Sequence, residues 1–147
     1  MLGTIKLVIL GESTTGKTSI AYRMIRDKFN VNMESTIGAS FMTKIYDQIK
    51  YDIWDTAGQE RYLSLVQLYY RNAGLILLVF DMDKPETMDR FTYYLDKITA
   101  DLSHEYRVIV IGNKYDLVNH DQLKRIDFDV RKKLGSYEEL KHKTDFV

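Results

Sequence analysis

The chain has no cysteine, and that absence removes several chemistries at once. Disulfide staples, zinc–thiolate centres and prenyl or palmitoyl attachment all need the thiol, so none is open to these residues. A reducing compartment is compatible with this composition. Proline occurs once, at Pro85, so an imide interrupts almost no helix or strand. An excess of either charge is missing too: 21 Lys and Arg balance 21 Asp and Glu. Without a basic surplus there is no electrostatic footprint for nucleic acid or an anionic membrane. Long hydrophobic runs are lacking as well. The longest, residues 75–80, falls far below the length that spans a bilayer, and the N-terminus carries no signal-peptide pattern. These exclusions lead to the expectation of a soluble, cytoplasmic protein. With 147 residues, 45% of them apolar, the chain is expected to form one domain around a single core.

What is present is concentrated first in residues 6–19, KLVILGESTTGKTS. The apolar run Leu7, Val8, Ile9, Leu10 ends at Gly11, and a loop leads to Gly16, Lys17 and Thr18. This fits G-x-x-x-x-G-K-[ST], the phosphate-binding loop, with a strand before it and a helix after it. Glycines let the backbone fold into a concave nest whose N–H groups point at phosphate oxygens. Lys17 can bring its ammonium to the β- and γ-phosphates, and the Thr18 hydroxyl can ligate Mg²⁺. The start of the following helix adds partial positive charge. An ordinary glycine-containing turn is the plain alternative, and complete spacing in this context argues against it.

The rest of the chain alternates strands and helices. Residues 4–10 read as a strand, and residues 16–27 as a helix with Ile20, Met24 and Ile25 at helical spacing. Residues 29–35 read as a loop. Residues 41–45 and 49–54 are β-rich and joined by Asp47 and Gln48, which predicts a tight antiparallel hairpin. A helix is expected over 62–71, a buried strand over 75–80 and a further strand over 107–111. Between the last two, Asp83 is expected to cap a helix, with Pro85 in its first turn and Glu86 at the capping-box position. Met88, Phe91, Leu95, Ile98 and Leu102 then mark its core stripe. This alternation predicts an α/β fold: a mostly parallel sheet with helices on both faces and ligands at the carboxyl ends of the strands. Beyond Leu117 the pattern is mixed. Ile126, Phe128 and Val130 alternate like a strand, Gly135 argues against one continuous helix, and residues 136–139 look like a helix start. Phe146 and Val147 begin another strand or end that helix; both readings stand.

Three further stretches supply what a purine nucleotide triphosphatase needs. Thr36, before the hairpin, can complete a Mg²⁺ shell with its hydroxyl and reach a γ-phosphate with its N–H. Asp55, at a strand end, can hold the Mg²⁺ shell through water. Gly58 offers an N–H to the γ-phosphate, and Gln59 can orient an attacking water. In Asn113-Lys114-Tyr115-Asp116, the carboxylate can accept from guanine N1–H and the 2-amino group, an arrangement that adenine does not present. Taken singly, a Thr or Gln of this kind is more often a surface polar residue. Four such stretches in order make a joint signal.

In these motifs the chain resembles the Ras superfamily of small GTPases and, within it, the Rab family of membrane-traffic switches. GESTTGKTS, STIGASF, WDTAGQERY, YYRNA, LVFDMD and NKYDL stand in the family's order over residues 4–118. STIGASF looks most like the endosomal Rab group. The resemblance implies a P-loop G-domain with a six-stranded sheet, and a switch whose two loops order around the γ-phosphate and relax after GTP is hydrolysed to GDP. It implies that Ser13, Thr14, Thr15, Gly16, Lys17, Thr18 and Ser19 wrap the phosphates and that Phe29 lies against the guanine. Thr18, Thr36 and Asp55 would serve Mg²⁺, with Gln59 as the catalytic residue. Phe41, Trp54 and Tyr69 match the aromatic triad that receives effectors, although aromatics at such places also serve ordinary packing. A GTPase-activating protein supplying an arginine finger, a nucleotide-exchange factor and effectors are the implied partners of a monomer that is slow alone. Nucleic acid is not among them.

The chain departs from the family pattern at three places. The hairpin between Thr36 and Asp55 is shorter than usual, which leaves its register open. Ser13 replaces a glycine usual in Ras itself. The chain also ends where the last strand is due, so that strand, the Ser-Ala-Lys loop bracing the guanine, the last helix and the prenylated cysteines are expected to be absent. Endosomal membrane association is doubtful on that ground. Two other readings follow from the residues. One is a shortened, non-catalytic G-domain acting as an effector-binding module. The other is a P-loop kinase for a small acceptor, against which DTAGQ and NKYD both speak.

Overall fold

The computed structural model describes residues 3–59, 62–140 and 144–147. Its architecture is set by β1 (Gly3–Gly11), in which Leu7, Val8, Ile9 and Leu10 are all buried. Successive side chains of a strand point to opposite faces, so Leu7 and Ile9 enter one core while Val8 and Leu10 enter another. A strand apolar on both sides must be covered on both sides.

The cover on one face is α1 (Lys17–Arg26), whose Ala21 packs with Leu7 and Ile9. The opposite face carries α2 (Leu63–Tyr70), α3 (Asp89–Asp101) and α4 (His120–Leu134). Between them lie β2 (Ala39–Tyr46), β3 (Ile49–Thr56), β4 (Leu75–Asp81), β5 (Arg107–Asn113) and β6 (Thr144–Phe146). The sheet order is β2-β3-β1-β4-β5-β6, with β2 antiparallel to β3 and every other neighbour parallel. This is the expected α/β sheet with helices on both faces. Among the described residues no helix is long and apolar enough to cross a membrane.

The register left open by the shortened hairpin runs from Ala39↔Thr56 to Tyr46↔Ile49. Asp47 and Gln48 connect the strands with φ of 46° and 65°. Two left-handed residues give the turn whose twist matches that of the strands. The stripe Met88, Phe91, Leu95, Ile98 is buried as expected, with Leu102 packed against it.

Four expectations are corrected. Asp83 does not cap a helix: a 3₁₀ turn over Pro85–Met88 leads into α3 without a side-chain cap, and the Asp83 N–H instead donates to Asp81 Oδ1 at 2.9 Å. Ile126, Phe128 and Val130 belong to α4, not to a strand. Leu123, Ile126, Val130 and Leu134 face the core at helical spacing, while Phe128 is 66% exposed. A reciprocal capping box of Asn119 and Gln122 starts that helix and Gly135 ends it. Residues 136–139 contribute no helix start beyond the short 3₁₀ turn Glu138–Leu140. The last strand, expected to be absent, is present in short form as β6, paired with Val108, Ile109 and Val110 of β5. Phe146 stacks on Phe80 with ring centroids 6.2 Å apart, which holds that strand against the core.

Candidate functional site

The carboxyl ends of β1, β3, β4 and β5 reach Gly11, Thr56, Asp81 and Asn113 on one side of the sheet. In an open α/β sheet this edge, beside the point where strand order reverses, is where a crevice forms. A cavity of about 670 Å³ lies there.

The loop leaving β1 turns through Thr14 and Gly16, with φ of 64° and 95°. Left-handed residues in such a loop make a nest of N–H groups suited to an anion. At Gly16 the space is as restrictive as the angle, because a Cβ would stand 2.1 Å from Asn113 Nδ2. Thr15 is fully buried and donates its hydroxyl to the Glu12 carbonyl at 2.9 Å, bracing the loop from within. Lys17, first residue of α1, is 6% exposed and donates to the same carbonyl at 2.7 Å. Burial pushes its ammonium down to about 8, while Asp55 and Glu12 pull the other way.

Beside it, the Thr18 hydroxyl donates to Asp55 Oδ2 at 2.6 Å and lies 2.7 Å from the Thr36 hydroxyl. α1, the loop before β2 and the end of β3 thus bring one oxygen-rich cluster together. Asp55 is fully buried, and burial raises its pKa against the opposing pull of Thr18, Lys17 and Thr36. Its Oδ1 has no hydrogen-bond partner among the described atoms. A buried carboxylate oxygen left unpaired is costly. Two hydroxyls and a carboxylate are the hard oxygen donors that Mg²⁺ takes, so the residues fit that ion. Among the described residues no group of three or more His, Cys, Asp or Glu offers a different metal site.

Gly58 and Gln59, just after β3, close another side. Gly58 approaches the loop so tightly that a Cβ would come 2.4 Å from Ser13 N. The far wall is the end of β5 and the segment that follows it. Asn113 Nδ2 donates to the Thr15 carbonyl at 2.8 Å, and Lys114 Nζ to the Thr14 carbonyl at 2.9 Å. Asp116 lines the cavity from the 3₁₀ turn Tyr115–Leu117.

The structure therefore gathers Ser13, Thr14, Gly16, Lys17, Thr18, Ser19, Phe29, Thr36, Gly58, Gln59, Asn113, Lys114 and Asp116 around one cavity. Thr15 and Asp55 stand behind its surface, buried. Phe29 is 63% exposed at the rim. Glu60 and Arg61, part of the WDTAGQERY motif, lie outside the described residues.

Two participants escaped the sequence reading. The Glu12 carbonyl, a backbone group, leaves no trace in residue type. Asp81 pairs with Lys114 at 2.5 Å, and its signal was visible: a carboxylate closing the apolar run LILLVF.

A second constellation lies away from the cavity. Phe41 and Trp54 meet edge to face at 5.2 Å, and Trp54 and Tyr69 at 6.1 Å, across β2, β3 and α2. Lys6 Nζ sits 5.1 Å from the Trp54 ring centre. Phe41 is 53% exposed, so the triad reaches the surface.

Comparison with known proteins adds four findings. Residues 6–142 match the model of the Ras family. The chain is 43% identical over 122 residues to the GTP-binding protein YPT53 of Saccharomyces cerevisiae, covering 80% of this chain and 56% of that protein. It is 41% identical over 123 residues to the Ras-related protein RabJ of Dictyostelium discoideum, covering 81% of this chain and 48% of the relative. The GTP-binding protein YPT52 of Saccharomyces cerevisiae is 41% identical over 125 residues, 76% of this chain and 53% of its own length. The chain thus spans about half the length of the relatives it matches.

Proposed function

The chain belongs to the Ras family, and on that premise we propose that it is a Rab-like small GTPase that holds GTP or GDP with Mg²⁺ and hydrolyses GTP as a switch in endosomal vesicle traffic. One observation carries the reading: the phosphate loop, the Thr18–Thr36–Asp55 oxygen cluster, Gln59 and the Asn113–Asp116 segment line or back the same cavity.

In this account the loop from Ser13 to Ser19 receives the phosphates through its backbone, and Lys17 supplies the compensating charge. Thr18, Thr36 and Asp55 would hold Mg²⁺, the ion serving to offset charge on the phosphate oxygens. Asp116 accepts from guanine, Lys114 and Phe29 flank the base, and Gly58 offers its N–H toward the terminal phosphate. Gln59 orients the attacking water. The remaining barrier is lowered by an arginine from an activating partner, an effect worth about 10³–10⁵ in rate in this class of enzyme. Effectors dock on Phe41, Trp54 and Tyr69.

Single-turnover hydrolysis tests the chemistry. Gln59→Leu keeps the side-chain volume and removes the amide, so GTP still binds while hydrolysis slows by about tenfold or more. An unchanged rate in that variant would remove Gln59 from its role.

A further inference from the structure

Two carboxylates are buried among the described residues, Asp55 and Asp81. The proposed function employs the first and leaves the second idle. Asp81 closes β4, its side chain 1% exposed, and both its oxygens are engaged. Oδ1 accepts from the Asp83 N–H at 2.9 Å, and Oδ2 accepts from Lys114 Nζ at 2.5 Å. Its own N–H donates to Thr87 Oγ1 at 2.9 Å, and that hydroxyl donates to the Lys84 carbonyl at 2.7 Å. The turn before α3 therefore fixes the carboxylate, and the carboxylate fixes the lysine.

The lysine has a second contact, the Thr14 carbonyl. Its ammonium bridges the end of β4 to the phosphate loop, and the residue is one of those that line the cavity. A free lysine carries substantial rotamer entropy, which a ligand must otherwise remove on binding. Held in place beforehand, the side chain offers a ready wall for the base. A charge pair exposed at the surface contributes little, but one whose carboxylate is buried resists loss of either partner.

We propose that Asp81 is a positioning residue for nucleotide retention: it holds the Lys114 ammonium against the Thr14 carbonyl, and so clamps the base-binding segment to the phosphate loop. The proposal rests on the nucleotide reading above and adds a determinant of release rate to it.

The test uses the full chain loaded with a fluorescent GDP analogue and chased with unlabelled GDP in Mg²⁺. Asp81→Asn speeds release by about tenfold, the factor that corresponds to the loss of ~1.4 kcal/mol. In a Lys114→Met background the same substitution adds no further acceleration, because Asp81 acts through the lysine. Should Asp81→Asn alone fail to fold, Lys114→Met and the double variant are compared, and equal release rates support the proposal. Unchanged release in Asp81→Asn, or a double variant much faster than Lys114→Met, overturns it. A separate readout needs no nucleotide: in Asp81→Asn, Lys114 reacts faster with an acetylating reagent relative to the other lysines, scored by peptide mass spectrometry. Equal labelling overturns the pairing. An unmodified chain that retains no GDP analogue defeats the nucleotide reading, and the claim about release with it.

Discussion

At Lys17 the cost of burying a charge has a readable sign. Burial lowers its pKa from 10.5 to about 8, so the folded, nucleotide-free chain binds fewer protons there than the unfolded chain. The penalty is fully present below pH 8 and is relieved as pH rises toward 10.5, so this group makes the fold more stable across that window. The change is of order 3 kcal/mol. Lys17→Met lacks the slope. Urea unfolding of both forms should therefore show the advantage of the methionine form shrinking between pH 8 and pH 10.5; a constant difference contradicts the assignment. Asp116 gives a second residue-level test. Xanthine presents an acceptor where guanine presents a donor, so Asp116→Asn should weaken GTP and strengthen xanthosine triphosphate. Competition binding reads both, and a mutation without effect on base choice removes Asp116 from the base pocket.

At the scale of elements, the contrast between α1 and α4 explains what the sequence made legible. The phosphate loop announces α1, because glycine spacing and the helix start are local chemistry. In α4 the alternation of Ile126, Phe128 and Val130 imitated a strand, yet Phe128 faces solvent and the other two lie one helical turn apart on the core side. The overlooked signal was Asn119-x-x-Gln122, a capping box of known form. β6 was difficult for another reason: three residues carry no periodicity, and only pairing with β5 and the Phe80–Phe146 stack define them. The aromatic triad spans three elements, so its composition was legible and its geometry was not. Because Trp54 touches both of the other rings, Trp54→Ala should weaken effector capture by about tenfold or more. Pull-down from the GTP-loaded protein measures it, with GDP release as the control. Loss of both together would make Trp54 a packing residue instead.

For the whole molecule, most of the sheet followed from strand–helix alternation, and the candidate cavity residues followed from motifs placed at strand ends. What remained hidden depends on the third dimension. The Glu12 carbonyl partnering Lys17, the approach of Gly58 to Ser13 and the Asp81–Lys114 pair each join segments through backbone groups or across long sequence separations. Ligand linkage then gives a global prediction. A nucleotide present at 100 times its dissociation constant stabilises the folded state by about 2.7 kcal/mol. GDP with Mg²⁺ should therefore raise the melting temperature while ADP does not, and equal shifts by the two would remove base selection from the account. The most direct test is to purify the chain in Mg²⁺, precipitate it with acid and chromatograph what is released. The account predicts close to one guanine nucleotide per chain. A chain that comes away empty and then binds neither GDP nor GTP would contradict it.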